Sequence, residues 1–464
     1  FGSMLRGETR RLRQTMLNRR HFLQSIAAAA VTPVVTQAAT SAGAVPLAND
    51  PMKLFDLPKG FSYSVVSKVG TEMSDGLQVP GKHDGMAAFA GRDGRIRLVC
   101  NHEIMPETTS ANTLRSRFAD LPEEMRARFY DRGADRTPGL GGTTTTVYNP
   151  VTRETERQFL SLGGTELNCA GGPTPWGSWL SCEECFEWAG NVEYFGIPAA
   201  RRDKWHGYVF EVPADADELV PAVPIKDMGR FEHEAAAVDP ATGVVYMTED
   251  RDHSLFYRYI PNKPGELLAG GTLQALVVDE QPSLATHNWT AKPAMRIGEP
   301  LGAHWIDIER PNPLEDEIRL VGERNGAATF ARGEGLCIAG DRFAFTCTIG
   351  GPARLGQIFT YKPTSADAGE LELIAESQPG SLLQNADNLT LAPWGDLVVC
   401  EDTSGHCGLV GIRPDGSQYP VGDNTYTSSE LAGVCFSPDG EIMFVNIQYP
   451  GMTLAITGDW RVFQ

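Results

Sequence analysis

Apolar residues in this chain fall in short runs closed by turn residues rather than in long helical periods. Asp75-Gly76, Asp84-Gly85, Asp93-Gly94, Asp415-Gly416 and Asp439-Gly440 are hairpin-type dipeptides between such runs. One stretch, residues 112–130, predicts a helix: Leu114, Phe118, Leu121, Met125 and Phe129 recur three to four apart with charges between them. No low-complexity linker divides residues 45–464, so this span is expected to be one catalytic domain.

A second pattern recurs along the chain. A turn feeds a strand, and the strand ends in acids or amides at Glu103, Glu183, Glu249, Glu323, Glu401 and Gln448, with spacings of 80, 66, 74, 78 and 47 residues. Six such units predict an all-β fold, a six-bladed β-propeller with loop and short helical insertions that enlarge blades beyond the usual ~40–45 residues. Equivalent strands of successive blades run beside a central channel, so their ends converge on one mouth. Carboxylates gathered there repel one another, and burial raises their pKa unless cations neutralise them. The competing reading, solvated acids at hairpin ends, fits any one unit better than it fits six.

Composition narrows the function classes. The 464 residues include 49 glycines and 31 prolines, as a turn-rich fold requires. Acids outnumber bases 59 to 40, for a formal charge of −19, which excludes a nucleic-acid backbone binder. Residues 1–44 stand apart. Phe1-Gly2-Ser3-Met4 reads as a cloning scar; Arg19-Arg20 then precede an apolar stretch from Ser25 to Val35, and Ala42-Gly43-Ala44 offers a cleavage site. This predicts a twin-arginine signal, export through that machinery, a periplasmic or secreted location and no stable membrane association. Removing six arginines and one glutamate with it takes the charge to −24. Nine cysteines are too sparse for a disulfide scaffold, and their odd number leaves at least one free for other work.

Five segments carry a family resemblance: residues 83–86, beginning His83-Asp84-Gly85; residues 168–184, from Asn168-Cys169 through Thr174-Pro175-Trp176 to Cys182-Glu183-Glu184; residues 229–235 with 246–251; Asp387-Asn388-Leu389; and residues 436–451. Together they resemble the bacterial PhoX-type alkaline phosphatases. That resemblance implies a metal-dependent phosphomonoesterase holding two ferric ions and several calcium ions in the propeller channel. It also implies small phosphate-ester substrates and, in our reading, a monomer. By motif it assigns the iron-binding thiolate to Cys182, the phosphate-binding arginine to Arg332 and a catalytic metal ligand to Glu334. Further ligands are expected among Glu103, Glu183, Glu184, Glu211, Glu232, Glu234, Glu249, Asp250, Asp387, Glu401 and Asp402, with Asn388 offering an amide oxygen. Arg332 and Glu334, two apart in an extended segment, face the same side, and a guanidinium grips phosphate in a planar fork. His233, between Glu232 and Glu234, is either a ligand or a structural group. The sequence departs from the family pattern at Pro173, where a second phosphate-binding cation, a lysine, is expected. Two alternatives remain open: a calcium-dependent propeller lactonase or phosphotriesterase, and a metal-binding propeller without catalysis.

Overall fold

The computed structural model describes residues 45–104, 114–194, 197–290 and 292–464; the proposed signal segment and parts of the 112–130 stretch lie outside them. Strands dominate and meander antiparallel. One sheet runs His83–Ala90, Ile96–His102, Gly141–Asn149, Glu154–Thr165. A three-stranded sheet follows, with Asn168–Pro173, Ser178–Glu183 and Val209–Pro213. A nine-stranded sheet then extends from His233–Val238 at one edge to Gly333–Ala339 at the other, and Leu301–Asp307 bridges its two halves. A six-stranded sheet begins at Ala386–Leu391, and a four-stranded one at Leu431–Phe436. In that last sheet the early strand Ser62–Lys68 pairs with the late strand Met452–Thr457, so the two ends of the fold are tied by backbone hydrogen bonds.

Six inner strands, starting at His83, Asn168, His233, Gly333, Ala386 and Leu431, pack each on the next and the last on the first. The arrangement is propeller-like around a central channel. Apolar clusters fill the spaces between neighbouring sheets; the largest aromatic one holds Tyr246, Phe256, Trp305, Phe330, Phe345 and Phe359.

Five of the six turn–strand–acid units are the second strands of their sheets. The sixth is a correction: Ile318–Arg324 is a helix. Its buried residues, Ile318 and Gly322, are four apart as on one helix face, and Leu320 between them is exposed. The corresponding strand is Arg342–Cys347 instead. The predicted 112–130 helix is broken as well. Within the described part, Leu114–Arg117, a 3₁₀ turn Phe118–Asp120 and Glu123–Arg126 replace one rod. Pro122 lies between the last two, where it has no N–H to continue a helix. Leu114, Phe118 and Phe129 are nonetheless buried. No helix among the described residues is long and apolar enough to cross a membrane.

Candidate active site

The same irregularity marks all six inner strands. Each ladder to the second strand skips two residues: after His83, Asn168, His233, Gly333, Ala386 and Ala432, pairing resumes three residues on. A bulge frees side chains from the pleat and re-aims them. The first freed residues are Asp84, Cys169, Glu234, Glu334, Asp387 and Gly433, so five of the six carry a group able to bind a cation. The backbones are close at this level. A Cβ on Gly85 would stand 2.5 Å from the Cα of Ala170, and one on Gly335 2.6 Å from the carbonyl oxygen of Asp387.

These side chains meet others at the mouth of the channel. Oxygens of Glu234, Glu334 and Asp387 lie within 4.8 Å of one another, as do the donor atoms of Cys169, Glu184 and Glu234, and those of Asp84, Glu103 and Glu430. Glu234 belongs to two of these groups, and its Oε2 is 2.8 Å from Cys169 Sγ. Burial first, and mutual repulsion second, raise Glu184, Glu234, Glu334, Asp387 and Glu430 well above the usual carboxylate range; Asp84 is pushed up to about 8 by burial and Glu103. Glu184 hydrogen-bonds Asp250, and Glu430 hydrogen-bonds Asp402. Two carboxyls in such contact must share a proton or a cation.

Two basic side chains enter the cluster. Arg332 donates to Asp250 from Nε at 2.7 Å and from a terminal nitrogen at 3.0 Å, and reaches Glu334 Oε1 at 2.7 Å. Its side chain remains 27% exposed while both partners are nearly buried. Lys82 donates to Gln448 Oε1 at 2.5 Å and stands 3.5 Å from Glu103. The Gln448 amide nitrogen in turn donates to Asp84 and Glu103.

The structure therefore brings Glu103, Glu184, Glu234, Asp250, Glu334, Asp387, Asp402 and Arg332 together, and sends the other expected ligands elsewhere. Glu183 accepts from the backbone N–H groups of Glu166, Gly207 and Tyr208 and from His206. Glu249 accepts from Leu255 N–H and the Tyr257 hydroxyl, and Glu401 from the N–H groups of Gln384 and Gly408. All three end a second strand and fasten nearby loops; the residue after each, on the opposite side of the strand, faces the mouth. Glu211 accepts from Trp176 and Ser178 on an outer strand, and Glu232 pairs with Arg251. The Asn388 oxygen is taken by the N–H of Gly433 at 2.7 Å. His233 stacks on Phe231 at 3.6 Å, bonds the Gly229 carbonyl through Nε2 and is pushed down to about 3 by burial, which is a structural role.

The thiol assignment also changes. Cys182 is wholly buried among Leu180, Val209, Phe231 and Met247, and burial alone pushes its thiol up. Cys169 is the cysteine in the acidic cluster. It, Asp84, Lys82 and Glu430 went unrecognised in the sequence, although Asp84 and Cys169 stand inside two of the quoted segments at the same step as Glu234, one residue into an inner strand. Pro173 ends its inner strand at the far side of the channel, in an apolar cavity of about 380 Å³ with Met86, Ala236, Leu336 and Leu389. It takes no cation from the acidic mouth.

Residues 42–451 match a family model described as alkaline phosphatase PhoX. Among solved structures, PhoX of Pseudomonas fluorescens in complex with vanadate, a transition state analogue, superposes with a TM-score of 0.65 at 19% identity, covering 90% of this chain and 97% of that one. The periplasmic gluconolactonase of Pseudomonas aeruginosa gives a TM-score of 0.42 at 14% identity, with 87% and 93% covered. A catalytically inactive variant of virginiamycin B lyase from Staphylococcus aureus gives 0.36 at 12%, with 86% and 99% covered. No curated protein sequence matches the chain.

Proposed function

Since this chain belongs to the alkaline phosphatase PhoX family and is accordingly a phosphoric monoester hydrolase, we propose that hydrolysis takes place at the acidic mouth, between Arg332 and Lys82. The observation that carries this is the gathering of five bulge side chains at the channel mouth beside the Arg332 guanidinium. The lactonase and non-catalytic alternatives give way to the family assignment.

The donor set fits metal ions. So many carboxyls in contact, raised by one another and accompanied by two basic side chains, are stable as anions only around multivalent cations. Cys169, Glu184, Glu234, Glu334 and Asp387 would hold the two ferric ions, the sulfur favouring a transition metal. The all-oxygen group of Asp84, Glu103 and Glu430 suits calcium. When bound, such ions supply Lewis-acid charge for the phosphoryl oxygens. Arg332 binds the ester phosphate through the part of its fork that faces solvent, and Asp250 and Glu334 fix the plane of that fork. Lys82, oriented by Gln448, adds a second positive charge from the opposite side.

The finer architecture follows from the same ring. The nine-stranded sheet divides at Leu301–Asp307 into two meanders, each with its own inner strand, and this supports a six-bladed propeller. Export by the twin-arginine route rests on Arg19-Arg20 and the apolar run after them. A direct test purifies the exported protein, measures iron and calcium by mass spectrometry, and follows p-nitrophenyl phosphate hydrolysis before and after a chelator. Hydrolysis lost together with iron and calcium supports the reading. Full activity in protein stripped of both ions overturns it.

A further inference from the structure

Resting on that reading, we propose that the rim beside Arg332 is an anion subsite that recognises a second phosphate, carried on the leaving group of the ester. Three segments build it. His253 lies in the turn after Asp250, His287 and Trp289 in the excursion between the strands Gly271–Val278 and Leu301–Asp307, and Arg354 in the loop after Cys347. All three segments leave their strands at the mouth end of the channel, as the pairings His233 to Glu249, Gly333 to Cys347, and Tyr257 to Met247 and Ala275 require.

Backbone hydrogen bonds tie the group to Arg332. Its N–H donates to the Arg251 carbonyl at 2.9 Å, and its own carbonyl accepts from Thr348 N–H at 3.0 Å. Trp289 Nε1 donates to the Ile349 carbonyl at 2.7 Å, and Gly351 N–H to the His287 carbonyl at 2.9 Å. The side chains form one stack. The His287 ring lies on Trp289 with centroids 4.0 Å apart, the Arg354 guanidinium sits 4.0 Å from the Trp289 centroid, and His253 meets both rings edge-on at 5.4 and 5.3 Å.

Among the described residues neither Arg354, His253 nor His287 pairs with a carboxylate, whereas Arg251, Arg319 and Arg332 nearby all do. His287 Nδ1 is buried without a hydrogen-bond partner. Burial, with His253 and Arg354 beside it, favours the neutral His287 ring, pushed down to about 4, and this form still carries one N–H that can donate to an anion. A guanidinium laid over an indole is held in one orientation and leaves its nitrogen edge open for two bonds to a phosphate. A neutral or apolar leaving group would leave these donors unused. His287 and Trp289 also border a cleft of about 370 Å³ with Gln281, Ser283 and Thr290.

The test compares kcat/KM for glucose 6-phosphate, glucose 1,6-bisphosphate and p-nitrophenyl phosphate in the exported holoenzyme and in Arg354→Gln and Arg354→Lys. The Arg354 side chain makes no hydrogen bond among the described residues and is exposed, so both variants are expected to fold. The preference for the bisphosphate over glucose 6-phosphate should fall about tenfold in Arg354→Gln, chiefly through KM, as for loss of one charge-assisted bond, and Arg354→Lys should restore part of it. An unchanged preference in Arg354→Gln, with both enzymes active on p-nitrophenyl phosphate, overturns the subsite alone. A wild-type holoenzyme inactive on all three esters overturns the phosphatase reading and the subsite with it.

Discussion

Replacing Arg332 by lysine separates charge from geometry at the mouth. The guanidinium makes three short contacts, two to Asp250 at 2.7 and 3.0 Å and one to Glu334 at 2.7 Å, with 27% of the side chain exposed. A lysine keeps the positive charge over both acids but is a point donor without the fork. Stability should therefore fall by ~1.5–3 kcal/mol, the worth of one charge-assisted hydrogen bond lost with the fork. Arg332→Ala would instead leave the buried Asp250 carboxylate without its cation, at a cost of ~3–5 kcal/mol. Catalysis responds differently. A charge-assisted bond is worth ~1.5–3 kcal/mol, so loss of one bond to the phosphoryl group lowers kcat/KM by ~10- to 150-fold. Steady-state hydrolysis of p-nitrophenyl phosphate and a thermal melt read the two quantities separately. If Arg332→Lys keeps kcat/KM within twofold of wild type, the guanidinium does not hold the phosphate and the reasoning fails.

Three further outcomes follow from the packing. Cys182→Ser places a hydroxyl among Leu180, Val209 and Met247, so denaturant melts should show a loss of ~1–3 kcal/mol with activity per folded molecule retained. Gly85→Ala drives a methyl to 2.5 Å from the Ala170 backbone, between the segments that aim Asp84 and Cys169; a loss of ~1–3 kcal/mol and reduced hydrolysis are expected from the same preparation. His206 is wholly buried, and although burial alone would lower its pKa, Glu183 and Asp131 push it up to about 10. A cation raised in the fold contributes stability that is complete below its unfolded pKa, near 6.5, and is lost as pH rises through the folded value. Urea midpoints of wild type should accordingly fall from pH 6.5 to pH 10.5, and His206→Gln should flatten that slope.

The turn-bounded runs were enough to read strands, the repeat and the family motifs, because a two-residue alternation and hairpin turns are local features. The ligand row was harder. Glu183 and Glu184 differ by one step along a strand, yet one fastens a loop and the other joins the cluster. Which side faces the channel depends on how the strand is seated against its neighbours. The bulges are set by pairing between strands and leave no mark on any single segment, so Asp84 and Cys169 were invisible as ligands while Glu234, Glu334 and Asp387 were found as acids. Cys182 lost its role for the same reason: within one segment nothing distinguishes a thiol at a bulge from a thiol thirteen residues on inside an apolar layer. Residues 317–324 failed differently, since Ile-Arg-Leu-Val suits a strand and a short helix alike, and burial of Ile318 with Gly322 decides for the helix.

The central claim is that the thiol and acids freed by the inner-strand bulges form the metal-dependent phosphatase centre. Iron content and p-nitrophenyl phosphate hydrolysis, measured side by side in Cys169→Ser and Cys182→Ser from identical exports, test it most directly. The account predicts that Cys169→Ser folds but loses iron and at least ~100-fold in activity, as when a group coupled to the transition state is lost, while Cys182→Ser retains both. Iron and activity retained in Cys169→Ser and lost in folded Cys182→Ser would contradict it.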